Sequence, residues 1–360
     1  MFRRESTRPV KVGPLIIGGG APVVIESMTN TSTVDLQATL AQIHELSVAG
    51  CELVRVAVPD KDAASVLPEL VQSSPLPVIA DIHFHHRLAL LALEAGVAML
   101  RVNPGNIGGE ERLAEVLALA ARRGIPIRIG VNAGSLEKRL LTKYGSVTAE
   151  AMVESALDNI NLAEKLNFRD LIVSLKSSSV PVTVRACRLL AEKVNYPLHI
   201  GVTEAGTSFA GTVYSAVGIG ALLLDGLGDT LRVSLTAPPA EEIKVAKKIL
   251  SAVELRRFGP RVISCPTCGR CQIDLASLAA EVERRVAAIT APLTLAVMGC
   301  VVNGPGEARE ADLGIAGGKK QGLIFCAGKI VGRVPAERLL DEFMHHLQLY
   351  LQRKITGEKP

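Results

Sequence analysis

The fold is decided by a pattern that residues 77–102 show in its shortest form, PVIADIHFHHRLALLALEAGVAMLRV. Two short apolar runs, Pro77–Ile82 and Ala98–Val102, stand on either side of an amphipathic run, Arg87–Ala95. The amphipathic run ends at Gly96, and glycine is common just after a helix because it tolerates the left-handed backbone conformation found there. The segment therefore predicts a strand, a helix and a second strand.

The same alternation extends from about residue 21 to residue 256, with helices that also end at Gly50 and Gly124. The predicted strands are Val23–Ser27, Leu53–Val58, Pro77–Ile82, Ala98–Val102, Ile125–Val131, Asp170–Leu175, Pro197–Val202 and Ala221–Leu224 with an extension to Val233. Continuous apolar strands that alternate with helices indicate a parallel sheet covered on both faces. Eight units over about 235 residues match the size of a (β/α)8 TIM barrel.

Two further regions flank the predicted barrel. Val10–Val24, broken by Gly18-Gly19-Gly20, is expected to form a hairpin that plugs the bottom of the barrel. A boundary is expected near Gly259-Pro260, so residues 1–257 would form the barrel domain and residues 258–360 a smaller α/β domain. In the smaller domain we predict helices at Leu275–Ala288 and Ala336–Leu351 and strands at Leu293–Met298, Leu313–Ala316 and Gly322–Val331.

Composition narrows the class of protein. The net charge is only +4, from 40 basic and 36 acidic residues, aromatic residues make up 3% and Trp is absent, which argues against a nucleic-acid-binding protein. No apolar run approaches the 18 residues that a membrane span needs, and the charged N-terminus lacks the apolar segment of a signal peptide. The seven cysteines are odd in number and too sparse for a disulfide scaffold. We therefore expect a cytoplasmic enzyme.

Polar side chains gather at the predicted carboxyl ends of the barrel strands, where TIM-barrel enzymes place their active sites. They are Arg55, Asp81, His83, Arg101, Arg128, Asn132, Lys176, Glu204, Arg232 and Ser234. One arginine at a strand end is often paired with a carboxylate, but five strands carry Lys or Arg, and Asp81 and Glu204 are the only acids predicted at these strand ends. Because an unpaired buried cation is costly, we expect an anion, such as two phosphate groups, to bind there.

The cysteines of the smaller domain form the other candidate site. Cys265-Pro266-Thr267-Cys268-Gly269-Arg270-Cys271 precedes the loop Gly299-Cys300-Val301-Val302-Asn303-Gly304-Pro305-Gly306-Glu307. Thiolates favour zinc or iron–sulfur clusters, but neither the paired C-x-x-C motifs of a zinc site nor the complete ferredoxin run is present. The fourth ligand beside Cys265, Cys268 and Cys300 is left open among Cys271, an oxygen donor such as Glu307, and none. Cys51, Cys187 and Cys326 are expected to be buried core thiols.

Together these motifs resemble the 4-hydroxy-3-methylbut-2-enyl diphosphate synthase family over essentially the whole chain. The most specific part is the loop from Gly299 to Glu307, and the runs Ser27–Thr31 and Asp81–Phe84 are also similar. The resemblance implies reductive ring opening and dehydration of 2-C-methyl-D-erythritol 2,4-cyclodiphosphate, in the non-mevalonate isoprenoid pathway.

The resemblance also implies roles for individual residues. A 4Fe–4S cluster would be held by Cys265, Cys268, Cys300 and Glu307 and reduced by a ferredoxin or flavodoxin. Residues that would hold the diphosphate are Arg55, Arg101, Arg128, Lys176, Arg232 and Ser234; those around the hydroxylated carbons are Asp81, His83, Asn132, Glu204 and Asn303. Glu204, Glu307 and His83 are the candidate proton donors. Family members are homodimers in which the cluster domain of one subunit caps the barrel of the other.

Two other functions compete with this one. A barrel lyase or transferase acting on a phosphorylated or pterin substrate would carry a structural zinc in the smaller domain, and its colourless protein would hold one zinc where the resemblance implies about four irons and a brown colour. A non-catalytic iron–sulfur carrier or sensor is the second alternative, but such a protein has no use for five cations at the mouth of a barrel.

Overall fold

The computed structural model describes residues 2–82, 85–102, 109–301, 306 and 309–356. Residues 1–256 and residues 257–360 form two compact units. Each unit has its own sheet and its own buried apolar core.

The first unit is built from eight parallel strands with helices between them. The strands are β3 (Val24–Met28), β4 (Leu53–Ala57), β5 (Val78–Ile82), β6 (Met99–Val102), β7 (Ile127–Asn132), β8 (Leu171–Lys176), β9 (His199–Ile200) and β10 (Thr230–Leu231). The helices are α1 (Leu36–Ala49), α2 (Lys61–Ser65), α3 (Leu67–Ser73), α4 (His86–Glu94), α5 (Glu110–Arg123), α6 (Lys138–Tyr144), α7 (Ala149–Lys165), α8 (Val180–Ala191), α9 (Ser208–Leu224) and α10 (Pro239–Ala252).

These strands form a ring. Neighbours in the sheet follow the order β8-β7-β6-β5-β4-β3-β10-β9, and a single parallel bridge between Val173 and Leu198 joins β8 to the segment that leads into β9. Most strand residues are buried, as expected for strands with the barrel interior on one side and helices on the other. The predicted (β/α)8 barrel is therefore confirmed.

Helix ends in the barrel follow local capping chemistry. Asp35 begins α1 by accepting a hydrogen bond from the backbone N–H of Ala38, and Gly50 ends it with φ of 93°. Gly96 and Gly124, which follow α4 and α5, also have positive φ angles, of 78° and 63°. All three glycines predicted to follow helices thus adopt the left-handed conformation.

The predicted hairpin precedes the barrel. Strands β1 (Val10–Val12) and β2 (Leu15–Ile17) pair antiparallel. Their buried side chains pack with residues at the amino ends of barrel strands, among them Leu53, Ile79 and Met99. The hairpin therefore closes the end of the barrel opposite to the carboxyl ends of the strands, as predicted.

The prediction of a strand at Ala221–Leu224 was wrong. These residues are the last turn of α9, a helix of 17 residues, and the eighth strand is the two-residue β10. The run Gly218–Leu224 is almost entirely apolar, and such a run does not reveal by its periodicity whether it is a helix or a strand.

In its described residues, the second unit has a five-stranded sheet and the two helices named below. In spatial and chain order its strands are β11 (Arg261–Ser264), β12 (Thr294–Met298), β13 (Leu313–Ala316), β14 (Gln321–Cys326) and β15 (Lys329–Pro335). The first three are parallel and the last two pair antiparallel. Helices α11 (Leu275–Val286) and α12 (Leu339–Thr356) contribute Val282 and Phe343 to the core on one face of this sheet.

The single predicted strand Gly322–Val331 is a hairpin. Ala327 and Gly328, at φ of 46° and 76°, form the turn between β14 and β15. An alanine with positive φ is uncommon, so the turn has a weak sequence signal. Within the described residues of both units, no helix combines the length and apolar character needed to cross a bilayer.

Candidate active site

The barrel interior brings the predicted cations together. Four of them are carried by successive or nearby strands and are less than 9% exposed: Arg55 on β4, Arg101 on β6, Arg128 on β7 and Lys176 on β8. Arg232 follows β10, and its side chain is 19% exposed. The structure thus places basic side chains from five strands in one barrel.

A buried carboxylate that the sequence analysis did not count neutralises part of this charge. Glu26 lies on β3 and is 1% exposed. Both of its oxygens accept hydrogen bonds from Arg128, with Nη2 to Oε1 at 2.8 Å, and Arg55 Nε lies 3.7 Å from Oε1. Burial alone would raise the pKa of Glu26, but Arg128 and Arg55 outweigh it and leave the pKa lowered. The expectation of only two acids among the cations was therefore wrong.

Asp81 joins two other cations. Its Oδ1 accepts a hydrogen bond from Arg101 Nη1 at 2.9 Å, and its Oδ2 lies 3.6 Å from Arg55 Nη1. The guanidinium of Arg101 occupies the space beside Gly130, where a Cβ atom would lie 2.5 Å from Arg101 Nε. Gly130 is therefore needed for the observed position of Arg101.

Arg232 is paired with a helix residue. Glu242, on α10, is 3% exposed and lies 3.4 Å from Arg232 through both of its oxygens. It also accepts hydrogen bonds from Ser27 Oγ and from the backbone N–H of Leu235. Glu242 thereby fixes the segment that contains Ser234, which is half-buried.

Lys176 lies against a histidine that the sequence analysis did not single out. Lys176 Nζ is 2.7 Å from Nε2 of His199 on β9, and both side chains are buried. Burial and the nearby arginines lower the pKa of Lys176 and that of His199 well below their usual values. Gly201 leaves room for the carbonyl of Arg232 and for the amine, because a Cβ there would lie 2.5 Å from Arg232 O and 3.2 Å from Lys176 Nζ.

Two predicted residues lie at the carboxyl end of β7 and in the loop that follows β9. Asn132 ends β7, is half-buried and is paired in register with Lys176. Glu204 follows β9, is exposed, and has a left-handed backbone with φ of 56°. Its loop is joined to the Ser234 segment, since the N–H of Thr236 donates to the carbonyl of Gly206 at 2.9 Å. A non-glycine residue held at positive φ is strained, a feature that clusters at functional sites.

The structure does not test every predicted site residue. His83, Asn303 and Glu307 lie outside the described residues.

The predicted cysteine ligands follow two neighbouring parallel strands. Cys265 comes directly after β11, and Cys300 comes two residues after β12. The backbone N–H of Gly299 donates to Cys265 Sγ at 3.3 Å, which places Cys265 beside the residue that precedes Cys300. Cys268 is exposed, and a hydrogen bond from the Arg270 backbone lowers the pKa of its thiol.

The thiol groups of these cysteines, and their places after neighbouring strands, suit a centre of soft metal ions such as iron in an iron–sulfur cluster. Across the described ranges, no three His, Cys, Asp or Glu side chains are grouped closely enough to hold a metal ion. The donor chemistry nevertheless fits an iron–sulfur cluster, because an N–H group already points at one thiol sulfur and a second thiol has a lowered pKa.

Cys271 differs from Cys265 in its hydrogen bond, although both side chains pack against the apolar core of the second unit. Its Sγ donates to the carbonyl of Ile273 at 3.3 Å, and its side chain packs against the apolar core of the second unit. A Cβ on Gly299 would lie 2.6 Å from this sulfur. In this structure Cys271 therefore supports the turn that carries Cys268 and packs beneath Gly299.

Comparisons with known proteins cover both units. The model of the GcpE TIM-barrel domain matches residues 7–247, and the model of the GcpE protein C-terminal domain matches residues 261–349. A dihydropteroate synthase structure from Stenotrophomonas maltophilia overlaps 69% of this chain and 98% of its own, at a TM-score of 0.49 and 16% identity, which is too distant to inform function.

Curated relatives match over nearly their full length. The relative from Geobacter sulfurreducens is 57% identical over 99% of both chains. The relative from Maridesulfovibrio salexigens is 55% identical over 98% of this chain and 99% of its own. Both are named 4-hydroxy-3-methylbut-2-en-1-yl diphosphate synthase (flavodoxin). The chain belongs to the GcpE family, that of the 4-hydroxy-3-methylbut-2-en-1-yl diphosphate synthases.

Proposed function

We propose that this chain converts 2-C-methyl-D-erythritol 2,4-cyclodiphosphate to 4-hydroxy-3-methylbut-2-enyl diphosphate. The reaction uses two electrons and two protons, opens the ring at a carbon–oxygen bond and releases one water. The observation that carries the proposal is the match over 99% of both chains to a relative with this name. The buried cations of the barrel support it, because a cyclic diphosphate brings two negative charges.

The substrate would bind at the carboxyl ends of the barrel strands. For the diphosphate we propose Arg55, Arg101, Arg128, Lys176, Arg232 and Ser234. Arg128 is fully buried, and its pair with Glu26 fixes the position of its guanidinium inside the barrel. A preorganised set of basic side chains binds an anion without having to rearrange, and this lowers the cost of binding.

Residues at the rim would surround the carbons that react. We propose Asp81, His83, Asn132, Glu204 and Asn303 for this part of the substrate. Loss of the hydroxyl as water requires a proton, for which Glu204, His83 and Glu307 are the proposed donors. The exposed, strained position of Glu204 supports a role at the mouth of the barrel.

The electrons would reach the substrate from a 4Fe–4S cluster held by Cys265, Cys268, Cys300 and Glu307. When bound, such a cluster supplies low-potential electrons and a Lewis-acidic iron that polarises the departing oxygen. The hydrogen bond from Gly299 to Cys265 supports this ligand set, because N–H groups directed at the sulfurs tune the potential of iron–sulfur clusters.

The family resemblance also supports proposals for the electron-donor protein and for the oligomeric state. The curated relatives carry flavodoxin in their names, so we propose flavodoxin as the electron donor and keep ferredoxin as the alternative. We also propose a cytoplasmic homodimer in which residues 258–360 of one subunit supply the cluster and residues 1–257 of its partner bind the substrate.

Iron analysis of single cysteine variants tests the ligand set. Anaerobically purified protein should be brown and hold about four irons, as a 4Fe–4S cluster requires. Cys300→Ser should lose most of this iron, whereas the matched variant Cys271→Ser should keep it, because Cys271 donates to Ile273 and packs in the core. Full iron in Cys300→Ser with loss in Cys271→Ser would reverse the assignment. A colourless protein with one zinc would overturn the proposed cofactor.

Consumption of the substrate tests the proposed activity. Reduced, anaerobic protein should consume the cyclic diphosphate. Glu204→Gln should slow turnover about 100-fold or more while leaving binding intact, because it removes a proton donor and preserves the shape of the side chain. Glu150→Gln, at an exposed residue paired with Arg185, is the matched control. Equal rates in the two variants would remove Glu204 from the reaction.

A further inference from the structure

The amine of Lys176 has an unusual partner for a buried lysine. Its Nζ lies 2.7 Å from His199 Nε2, and among the described residues no carboxylate forms an ion pair with it. His199 Nδ1 faces Glu26 Oε2 at 3.7 Å. A ring proton on Nδ1 would thus face a carboxylate and leave Nε2 free to accept a hydrogen bond from Lys176.

The ionisable groups around Lys176 come from several strands and one helix of the barrel. Near Lys176 on β8 lie three guanidinium groups, one carboxylate, one imidazole and one buried thiol. These groups belong to Arg55, Arg128, Arg232, Glu26, His199 and Cys187. Burial raises the pKa of Cys187 to about 12, so that thiol stays neutral. Of the groups that stay ionised, three are positive and one is negative, and a proton on Lys176 is therefore disfavoured.

A diphosphate would change this balance. Within the described cluster, four guanidinium groups face three carboxylates, Glu26, Asp81 and Glu242, which leaves one excess positive charge. A cyclic diphosphate brings two negative charges. The bound cluster would then carry one excess negative charge, and a single added proton would cancel it.

We propose that Lys176 takes up one proton when the cyclic diphosphate binds, and that His199 is the positioning residue that holds the amine ready for it. This inference rests on the proposed function, because it takes the cyclic diphosphate as the ligand. The proton joins the lone pair of Lys176 Nζ and comes from solvent. The hydrogen bond to His199 Nε2 is kept in both states.

The lowered pKa of Lys176 gives the direction of the pH dependence. Burial, then Arg55 and Arg128, lower this pKa well below that of an ordinary lysine. A bound anion would raise it again. Between the two pKa values binding takes up a proton, so affinity falls as the pH rises, by up to about tenfold per pH unit for one full proton.

Titration calorimetry in buffers of different ionisation enthalpy measures this proton directly. The holoenzyme is titrated with the cyclic diphosphate under anaerobic conditions at several pH values between about 6.5 and 9. Each phosphorus of the cyclic ligand carries one strongly acidic oxygen and lacks the second ionisation, near pH 6, of a phosphate monoester. The ligand therefore contributes no proton, and any uptake belongs to the protein.

Four variants locate the proton. Lys176→Arg carries a permanent charge, so it should bind the ligand with no proton uptake and a flat pH profile. Lys143→Arg, at an exposed lysine paired with Glu154, is the matched control and should take up as much as the unaltered protein. His199→Gln keeps an acceptor for the amine and should keep the uptake, with affinity within about threefold, whereas His199→Leu should lose about tenfold in affinity. The Gln variant keeps this test decisive if the Leu variant does not fold.

The outcomes separate this inference from the proposed function. The inference is supported if the unaltered protein takes up a proton on binding and the Lys176→Arg variant does not. Binding and turnover without uptake, or with uptake that persists in Lys176→Arg, overturns the inference and leaves the proposed function standing. If the holoenzyme neither binds nor consumes the cyclic diphosphate, both fail together.

Discussion

At the scale of single residues, the barrel interior is organised by carboxylates as much as by cations. Glu26 accepts from Arg128 through both oxygens and lies 3.7 Å from Arg55 and from His199, so one carboxylate orients three basic side chains. Removing one partner of such a buried pair strongly destabilises the folded protein, because the other partner is left as an uncompensated charge.

The first prediction concerns Glu26→Gln. We expect it to lower the free energy of unfolding by about 3–5 kcal/mol, since Arg128 stays buried without its counter-ion. Glu281→Gln, which breaks an exposed pair with Arg284 and Arg285, should change stability little. Urea denaturation of both variants measures the difference. Similar stabilities would contradict a structural role for the buried pair.

The pH dependence of this stability has a definite sign. Because the pKa of Glu26 is lowered in the folded protein, its ion pair contributes fully above the pKa of an unfolded glutamate, about 4.3. The contribution is lost as the pH falls through the folded-state pKa. The gap between the unaltered protein and Glu26→Gln should therefore narrow in acid. A gap that stays constant down to pH about 2 would show that ionised Glu26 is not its source.

Gly130 offers a test of how Arg101 is positioned. A Cβ at residue 130 would lie 2.5 Å from Arg101 Nε, whereas a Cβ at Gly134 would meet no atom within 4 Å. We expect Gly130→Ala to weaken binding of the cyclic diphosphate about tenfold by displacing the guanidinium, and Gly134→Ala to leave it unchanged. Calorimetric dissociation constants compare the two. Equal affinities would exclude Arg101 from the binding site.

Some residues of this cluster could be read from the sequence and others could not. The arginines interrupt apolar strands, and Glu26 interrupts one in the same way, in the run Val24–Met28, so it could have been counted as an acid. Glu242 has no comparable signal. It follows the exposed Glu241 on α10, and only the folded chain shows that Glu242 faces Arg232 and Ser27.

At the scale of helices and strands, glycine in the sequence was enough to predict where a helix ends in a left-handed backbone conformation. The glycines after α1, α4 and α5 were predicted helix ends, and all have positive φ. Two apolar regions failed for physical reasons. The end of α9 is apolar even at exposed positions such as Leu224, so its pattern does not distinguish a helix from a strand. The turn at Ala327–Gly328 has no favoured turn residue before its glycine.

A pair of glycines tests the role of the helix ends. Gly124 follows α5 at φ of 63° in open space, so Gly124→Ala should cost about 1–2 kcal/mol through backbone strain alone. Gly220 lies inside α9, also with nothing within 4 Å of an added Cβ, and Gly220→Ala should stabilise by about 0.5–1 kcal/mol. Thermal unfolding measures both. The same sign in both variants would contradict this account.

At the scale of the whole molecule, the order of the strands explains why distant segments of the chain meet at one rim of the barrel. Parallel strands β3 to β10 direct their carboxyl ends to the same rim, so Asn132 at the end of β7 and the loop residues Glu204 and Ser234 belong to one face of the barrel. Periodicity alone predicted this architecture. The prediction of cysteine ligands depended on a motif in the sequence. Cys265 and Cys300 are far apart in the chain, and the parallel pairing of β11 and β12 brings their segments together.

The central claim is that this protein, with its barrel unit and its cysteine-bearing second unit, reduces a cyclic diphosphate. The most direct measurement is anaerobic incubation of the iron-loaded protein with 2-C-methyl-D-erythritol 2,4-cyclodiphosphate and a strong reductant, followed by identification of the product by mass spectrometry and NMR. The account predicts 4-hydroxy-3-methylbut-2-enyl diphosphate, one per two electrons consumed. Unchanged substrate, or a ring-opened product that keeps all its hydroxyl groups, would contradict it.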